Sequence, residues 1–275
     1  MWMSIVLTTA SLLAGPPQDT IVPVERGVRL DVENQRGQVT IAAWDRDEVS
    51  VEGDGRLVLR RAGAVLRVRP DRTRGMREVD MRIRVPAWMV VRAGGNQVDV
   101  TVSGTRAAIT AETVHGDIGV DGGGDLVSLR TVQGEVRARN STGRLEVVSV
   151  NDDVAVTGVR GDVTIEATNG DIVMRDMASA AVQASTVNGD VEYTGTIADD
   201  GRYSLTTHNG DIILATPASA NATVEVVTVQ GDFESAFPVR MAGGSRDRQF
   251  EFTLGTGSAR VRVESFNGSI RIRRP

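Results

Sequence analysis

The 275-residue sequence contains no cysteine, no lysine and few aromatic residues, and each absence limits what the chain can be. Without cysteine, disulfide bonds and thiolate metal ligands are excluded. Because aromatic residues make up only 4% of the chain, a buried core has to be built from Val, Ile, Leu and Ala. All 31 basic residues are arginine, and the net charge is −5. No nucleic-acid partner is expected.

Long hydrophobic runs are also absent, so no transmembrane helix is expected. Residues 1–14 are uncharged and mostly apolar, but this stretch is too short to cross a bilayer as a helix. It is similar to the apolar region of a secretory signal, with cleavage expected near Ala10 or Ala14. Residues 1–15 are therefore predicted to be a signal segment, and the protein is expected to be exported to the periplasm or the extracellular space.

One short phrase recurs from Thr113 onward, and its clearest copy, at 186–191, reads Thr-Val-Asn-Gly-Asp-Val. The copies begin at Thr113, Thr131, Ser149, Ala167, Thr186, Thr207, Thr228 and Ser265. Up to Gly231, the glycine positions lie 18 to 21 residues apart, with Asp152 in the place of one glycine. A fixed period of this size is the signature of a stacked repeat protein.

The chemistry of the phrase predicts a tight turn followed by a strand. Asn-Gly favours a backbone with positive φ, and Asp, which stands at 152, also tolerates it. After each turn, apolar residues alternate with others, as in Ile172 and Met174, which indicates a half-buried strand. A second strand follows half a period later, as at Gly161-Asp-Val163. No room remains for a crossover helix, so the repeats must stack as parallel strands.

The predicted fold is therefore all-β: an elongated, mainly parallel β-solenoid of about 18–21 residues per coil. Residues 16–104 are β-rich but irregular and are predicted to form a partly antiparallel N-terminal cap, continuous with a solenoid over 105–275. The interval from Gly231 to Gly268 is 37 residues, close to two periods. We expect one coil there that has lost its phrase, with Phe250 to Leu254 as its strand and the C-terminus at the last edge.

Equivalent residues of successive coils should form columns, and one column is acidic. Like charges about 4.8 Å apart repel by ~0.9 kcal/mol per pair in water, so something must offset the repulsion. Backbone N–H groups at the turns are favoured over bound Ca²⁺. The predicted structural ladder comprises Asn169, Gly170, Asp171, Asn188, Gly189, Asp190, Asn209, Gly210 and Asp211. The amides are expected to stack, and no catalytic residue, metal or cofactor is predicted.

Eleven arginines crowd into residues 56–92. Solvated strand faces are the simpler interpretation, and a site for an anionic partner is the alternative. The candidate surface for that partner comprises Arg60, Arg61, Arg67, Arg69, Arg72 and Arg74.

Two classes of function fit such a solenoid. The favoured one is a non-enzymatic envelope or extracellular scaffold or binding module, which presents repetitive β faces to an envelope polymer or a protein. The other is a carbohydrate-active parallel β-helix enzyme, which needs acids, bases and aromatics clustered on long loops. Short, uniform turns favour the first. A self-assembling filament protein is a third hypothesis, and self-association is left open.

The chain resembles the DUF4097 family of proposed bacterial adhesins. The resemblance rests on Gly37-Gln-Val-Thr-Ile41, on Trp44-Asp-x-Asp-x-Val49-x-Val51, on the Val85-Pro86 step and on the repeated phrase. It implies a bacterial β-solenoid domain, often exported or attached to envelope proteins, with no established catalytic residues. The sequence has neither the transmembrane helix nor the lipidation cysteine of envelope-anchored members.

Overall fold

The computed structural model describes residues 20–71, 78–238 and 249–275, and within these ranges the chain forms strands and turns without any helix. The predicted signal segment lies outside the described residues. In chain order the strands are β1 (Thr20–Pro23), β2 (Arg29–Trp44), β3 (Glu48–Gly53), β4 (Leu57–Ala62), β5 (Val65–Pro70), β6 (Met81–Pro86), β7 (Val91–Ser103), β8 (Ile109–His115), β9 (Ile118–Asp121), β10 (Leu126–Gln133), β11 (Val136–Arg139), β12 (Arg144–Asn151), β13 (Val154–Thr157), β14 (Val163–Asn169), β15 (Ile172–Met177), β16 (Ala181–Asn188), β17 (Val191–Gly195), β18 (Arg202–Asn209), β19 (Ile212–Ala215), β20 (Ala222–Gln230), β21 (Phe233–Ser235), β22 (Gln249–Leu254), β23 (Ala259–Asn267) and β24 (Ile270–Arg273).

Each regular coil contributes one longer strand to a first sheet and one shorter strand to a second sheet. In space, the first sheet runs β4-β5-β2-β7-β8-β10-β12-β14-β16-β18-β23-β20-β22. The second runs β1-β3-β6-β2-β7-β9-β11-β13-β15-β17-β19-β24-β21. The long strands β2 and β7 take part in both. This parallel stack confirms the predicted β-solenoid.

The stack begins earlier in the chain than the repeated phrase does. β2 pairs in parallel with β7 from Leu30 opposite Val91 to Ala42 opposite Ser103, so β2 already forms a complete coil. Antiparallel pairs β1–β3, β3–β6 and β4–β5 lie beyond it at the N-terminal end. They end the regular stack with hairpin-like pairing, as the sequence predicts.

The order of the last coils differs from the sequence-based expectation, which is wrong on this point. β18 pairs with β23, not with β20, and β23 pairs in turn with β20. The chain thus builds the outermost coil first, from β20 and β21, runs back antiparallel along its edge as β22, and then fills the gap with β23 and β24. No coil between Gly231 and Gly268 has lost its phrase, because residues 249–254 form an edge strand. Every coil carries the same columns, so the local pattern does not specify which coil is the neighbour.

Branched side chains fill the narrow interior in columns. Val154, Ile172, Val191 and Ile212 are fully buried and stand opposite one another on β13, β15, β17 and β19. Each coil covers the apolar face of its neighbour, so a single column runs through the stack.

The core also accommodates two rings, Tyr193 and Tyr203, which meet edge to face with centroids 5.8 Å apart. The Tyr203 hydroxyl donates to the Ser179 carbonyl (2.6 Å) and accepts the Ala198 N–H (2.8 Å). Burial raises the pKa of both phenols above the usual value, so both remain neutral donors. Their hydrogen bonds allow polar rings to stay inside an otherwise aliphatic core.

We predict that Ile172→Asp destabilises the protein by more than about 4 kcal/mol, because it buries an unpaired carboxylate between Val154 and Val191. Urea unfolding followed by circular dichroism measures the change. The matched control is Ala155→Asp in the adjacent coil, which stands opposite Arg137 on the outer face and should change stability by less than about 0.5 kcal/mol. Equal stability of the two variants would contradict the assignment of inner and outer faces.

Candidate functional site

The acidic column is held by hydrogen bonds that run from coil to coil. The backbone N–H of Asp171 donates to Asp153 Oδ1 (2.8 Å), that of Asp190 to Asp171 Oδ1 (2.8 Å) and that of Asp211 to Asp190 Oδ1 (2.7 Å). The N–H of Ser269 continues the series to Asp211 Oδ1 (2.8 Å). Each of these carboxylates therefore accepts a hydrogen bond from a backbone N–H of the next coil, which offsets the repulsion along the column.

The same arrangement reaches the N-terminal end of the stack, where residues 34–41 are only a degenerate copy of the phrase. The N–H of Asp80 donates to Asp54 Oδ1 and the N–H of Gln38 donates to Asp80 Oδ1, both at 2.9 Å. Within the repeats, the N–H of Glu135 follows the pattern and donates to Asp117 Oδ1 (2.9 Å), but the Glu135 side chain forms an ion pair with Arg137. Its side chain is one methylene longer than that of Asp.

The amides beside this column form a second ladder. Asn169, Asn188, Asn209 and Asn267 each donate a side-chain N–H to the Asn Oδ1 of the preceding coil, at 2.8 to 3.0 Å, beginning from Asn151. Stacked amides satisfy one another's donors and acceptors in this arrangement. The structure thus brings the predicted ladder residues together in two neighbouring columns at one corner of the solenoid.

A third column, of Thr and Ser, has a role that the sequence reasoning missed. The Thr207 hydroxyl donates to the Gly189 carbonyl (2.8 Å), and the Ser265 hydroxyl donates to the Gly210 carbonyl (2.8 Å). Thr186 makes the equivalent bond to Gly170 (3.2 Å). All three side chains are buried. The recurrence of Thr or Ser two residues before the Asn position was the available signal.

The glycine of the phrase is required by the closeness of successive turns. Gly134 and Gly170 have φ values of 137° and 138°, and a Cβ at either would clash with the backbone carbonyl of the preceding coil. Asp152 occupies the same place with φ of 88°, and its carboxylate accepts the N–H of Gly134 at 2.9 Å. The residues at this position therefore allow successive turns to stack closely.

A row of mainly apolar side chains lies exposed beside the ladders, on the outer face of the first sheet. We call it the corner ridge; in spatial order it comprises Val114, Val132, Val150, Thr168, Val187, His208, Phe266 and Val229. The valines are 36% to 45% exposed, and the ring of His208 stacks on Phe266 with centroids 4.8 Å apart. At about 4.8 Å per coil, the ridge extends for about 34 Å.

A shallow groove of about 1000 Å³ lies on the same face, between the ridge and the N-terminal end. Gly94 and Gly95 form part of its floor, because β7 has no side chains there. Arg67 and Arg92 line one side and pair with Asp31 and Glu112 respectively, each at 3.5 Å. Val114, Val132 and Val150 of the ridge line the other side. The groove therefore has one apolar and one charged wall.

The arginines proposed as an anionic-partner surface do not share one face. Arg60 stands opposite Arg67 in the β4–β5 pair, and Arg69 lies on that same face. Arg61 points to the other face of the pair, and Arg72 and Arg74 lie outside the described residues. The structure therefore groups three of the four described arginines.

Several arginines near the C-terminal end also pair with acidic side chains. Arg262 pairs with Glu225 (3.0 Å) and Glu264 (2.9 Å), and the hydrogen bond to Glu264 is the main reason that its pKa is raised. In the second sheet, Arg271 pairs with Asp211 at 2.9 Å.

The two histidines lie in different columns and different coils, His115 in the amide column and His208 in the corner ridge. Five coil steps, or about 24 Å, separate β8 from β18. In the part of the chain that the structure describes, no group of three or more His, Asp or Glu side chains could hold a metal ion. No helix within the described ranges could span a membrane.

The stacked parallel coils and their turn ladders define a repeat protein of the β-solenoid class. The chain belongs to the Toastrack DUF4097 family, whose model matches residues 28–273. A search of curated proteins finds no match.

Three solved structures are similar over 94% of this chain, each at 11% identity. They are a proposed adhesin from Bacteroides fragilis NCTC 9343 (98% of that chain, TM-score 0.46), a proposed lipid-binding protein from Parabacteroides distasonis ATCC 8503 (97%, 0.36) and a proposed cell adhesion protein from Clostridium sporogenes ATCC 15579 (100%, 0.28). Similarities this distant say nothing about what this chain binds.

Replacing one ladder carboxylate tests whether its role is structural. Asp171→Asn keeps an acceptor for the N–H of Asp190 and removes two repulsions, so stability should stay equal or rise by several tenths of a kcal/mol. Asp171→Ala removes the acceptor and should cost about 1 kcal/mol. Thermal melts with calcium and with a chelator should coincide for the parent. A calcium-dependent rise in its melting temperature, lost in Asp171→Asn, would instead indicate a metal ladder.

Proposed function

We propose that this chain is a non-enzymatic binding module that acts outside the cytoplasm and presents its first sheet to an extended polymer of the cell envelope. The observation that carries the proposal is the corner ridge. Single exposed valines are common on protein surfaces, but a row in which six of eight successive coils present an apolar side chain in register is not scattered exposure. Covering each one would contribute up to about 1.5 kcal/mol, so the row offers a repeated binding energy.

The hydrogen-bonded ladders favour a binding role for the corner ridge over a chemical role for the acidic column. The carboxylates of Asp153, Asp171, Asp190 and Asp211 already accept backbone N–H groups from neighbouring coils. His115 and His208 lie about 24 Å apart, so the two imidazoles cannot act together beside any one of these acids. The repeated acidic residues are therefore accounted for by stacking, which favours a binding module over a carbohydrate-active enzyme.

The chemistry of the groove and ridge fits a carbohydrate chain. Apolar side chains can pack against the CH faces of sugar rings, while the amide ladder beside them offers donors and acceptors to hydroxyl groups. The ridge repeats at each coil, so a long polymer can add contacts along its length. At the N-terminal end, Arg60 and Arg69, which form no ion pair among the described residues, can attract an anionic group on the same polymer.

The proposed location outside the cytoplasm rests on the sequence of residues 1–14, which resembles the apolar region of a secretory signal. A polymer of the envelope is the partner class that an exported binding module would meet.

We predict that the double substitution Val132→Asp with Val150→Asp lowers affinity for the bound polymer at least about tenfold, the equivalent of about 1.4 kcal/mol. Calorimetry or co-sedimentation with neutral polysaccharides, anionic wall polymers and envelope proteins identifies the ligand. The matched control is Ile213→Asp on the outer face of the second sheet, next to Arg271, which should bind as the parent does.

Two results would overturn the proposal. One is equal binding by the ridge variant and the parent to every polymer that binds. The other is turnover of a polysaccharide that disappears in Asp171→Asn while the fold is kept, because it would make the chain an enzyme. If the chain instead captured an envelope protein selectively and bound no polymer, the partner would be a protein and not a polymer.

The arginines at the N-terminal end should add a salt-dependent part of the attraction to an anionic polymer. Combining Arg60→Gln, Arg67→Gln and Arg69→Gln should weaken binding and flatten its dependence on ionic strength. The matched control changes Arg137, Arg139 and Arg175 of the second sheet to Gln in the same way. If both triple variants lose affinity equally, net charge rather than this surface governs binding.

A further inference from the structure

The two ends of the first sheet carry six-residue edge strands that have one partner each. Among the described residues, β4 is bonded to β5 alone at the N-terminal end, and β22 is bonded to β20 alone at the C-terminal end. The outer N–H and C=O groups of such strands are a template for pairing with another chain. The strands from β5 to β20 stack in parallel, so β4 and β22 are the two opposite edges of one continuous sheet.

Each edge carries a like-charged pair on the outer face, and the signs are opposite. Arg60 of β4 stands directly opposite Arg67 of β5, and Glu251 of β22 stands directly opposite Glu225 of β20. Like charges directly across a strand pair are destabilising. Arg60 and Glu251 are exposed, and neither forms an ion pair within the part of the chain that the structure describes.

These two pairs also lie on one and the same row of the solenoid. At the N-terminal end, Arg67 is in register with Asp31, which is in register with Arg92. At the C-terminal end, Ser204 is in register with Arg262, which is in register with Glu225. Both β4 and β22 run antiparallel to the strands of the stack. A second copy placed one stack length further along would therefore set its β4 parallel to β22 of the first, with Arg60 beside Glu251.

We propose that this protein self-associates head to tail, with β22 of one copy pairing with β4 of the next through Arg60 and Glu251. In that register Phe250 lies beside Leu59, and both are apolar side chains that their own core covers only in part. A head-to-tail contact does not close on itself, so it generates open chains of copies. Arg61 lies on the inner side of β4, which limits the strength of the contact and keeps it reversible.

The test is reciprocal charge reversal in the full chain, followed by sedimentation velocity and light scattering over a range of concentrations. The parent should form larger species as concentration rises, and added salt should reverse this. Arg60→Glu alone and Glu251→Arg alone should each stay monomeric. An equimolar mixture of these two variants should associate again, because every junction in the mixture can then join opposite charges.

Charge reversals on central strands are the matched controls. Arg130→Glu on β10 and Glu166→Arg on β14 change the same charges away from both edges and should associate as the parent does. A parent that stays monomeric at every concentration overturns the proposal. So does a mixture of the two edge variants that remains monomeric while each keeps the parent's fold by circular dichroism. The assay needs no polymer, so its outcome is independent of the binding function proposed above.

Discussion

The structure depends on how closely one turn can approach the next. In the parallel stack, the carbonyl at each glycine position lies where a Cβ of the next coil would be, so glycine permits the approach at Gly134 and Gly170. That closeness brings each backbone N–H within reach of the neighbouring carboxylate and each Thr or Ser hydroxyl within reach of the neighbouring carbonyl. Three columns of side chains thus add hydrogen bonds between coils to those of the strand ladder. The column of like charges becomes a set of hydrogen-bond acceptors.

The same columns explain how much of the fold could be predicted from the sequence. Position within the phrase determines whether a residue points into the core, and the buried column through Ile172 follows from period-two alternation alone. Position along the stack is a different matter. Because Asn209 can pair with Asn267 as well as it could with Gln230, the repeated phrase gives no information on neighbour order. The antiparallel pairing of β22 with β20 likewise cannot be predicted from the alternating pattern of Phe250 to Leu254, which suits a parallel and an antiparallel strand equally well.

The candidate site shows a comparable division. The ladder residues could be placed from their spacing, since equivalent positions of a solenoid must align. The corner ridge could not be recognised from the sequence, because the sequence does not show whether a valine beside a turn is buried or exposed. The grouping of Arg60 with Arg67, and the opposite direction of Arg61, depend on the β4–β5 register, which nothing in the arginine-rich composition specifies.

The insertion of β23 and β24 between earlier coils has a consequence for how the molecule is made. A ribosome delivers β20 and β21 before the strands that must separate them from β18 and β19. Coils up to β19 can add one by one as they emerge, but the C-terminal end cannot reach its final arrangement until residue 273 is available. Stepwise addition of coils therefore ends in a concerted step, in which the β20–β21 and β23–β24 coils form together and the last strands insert between older ones.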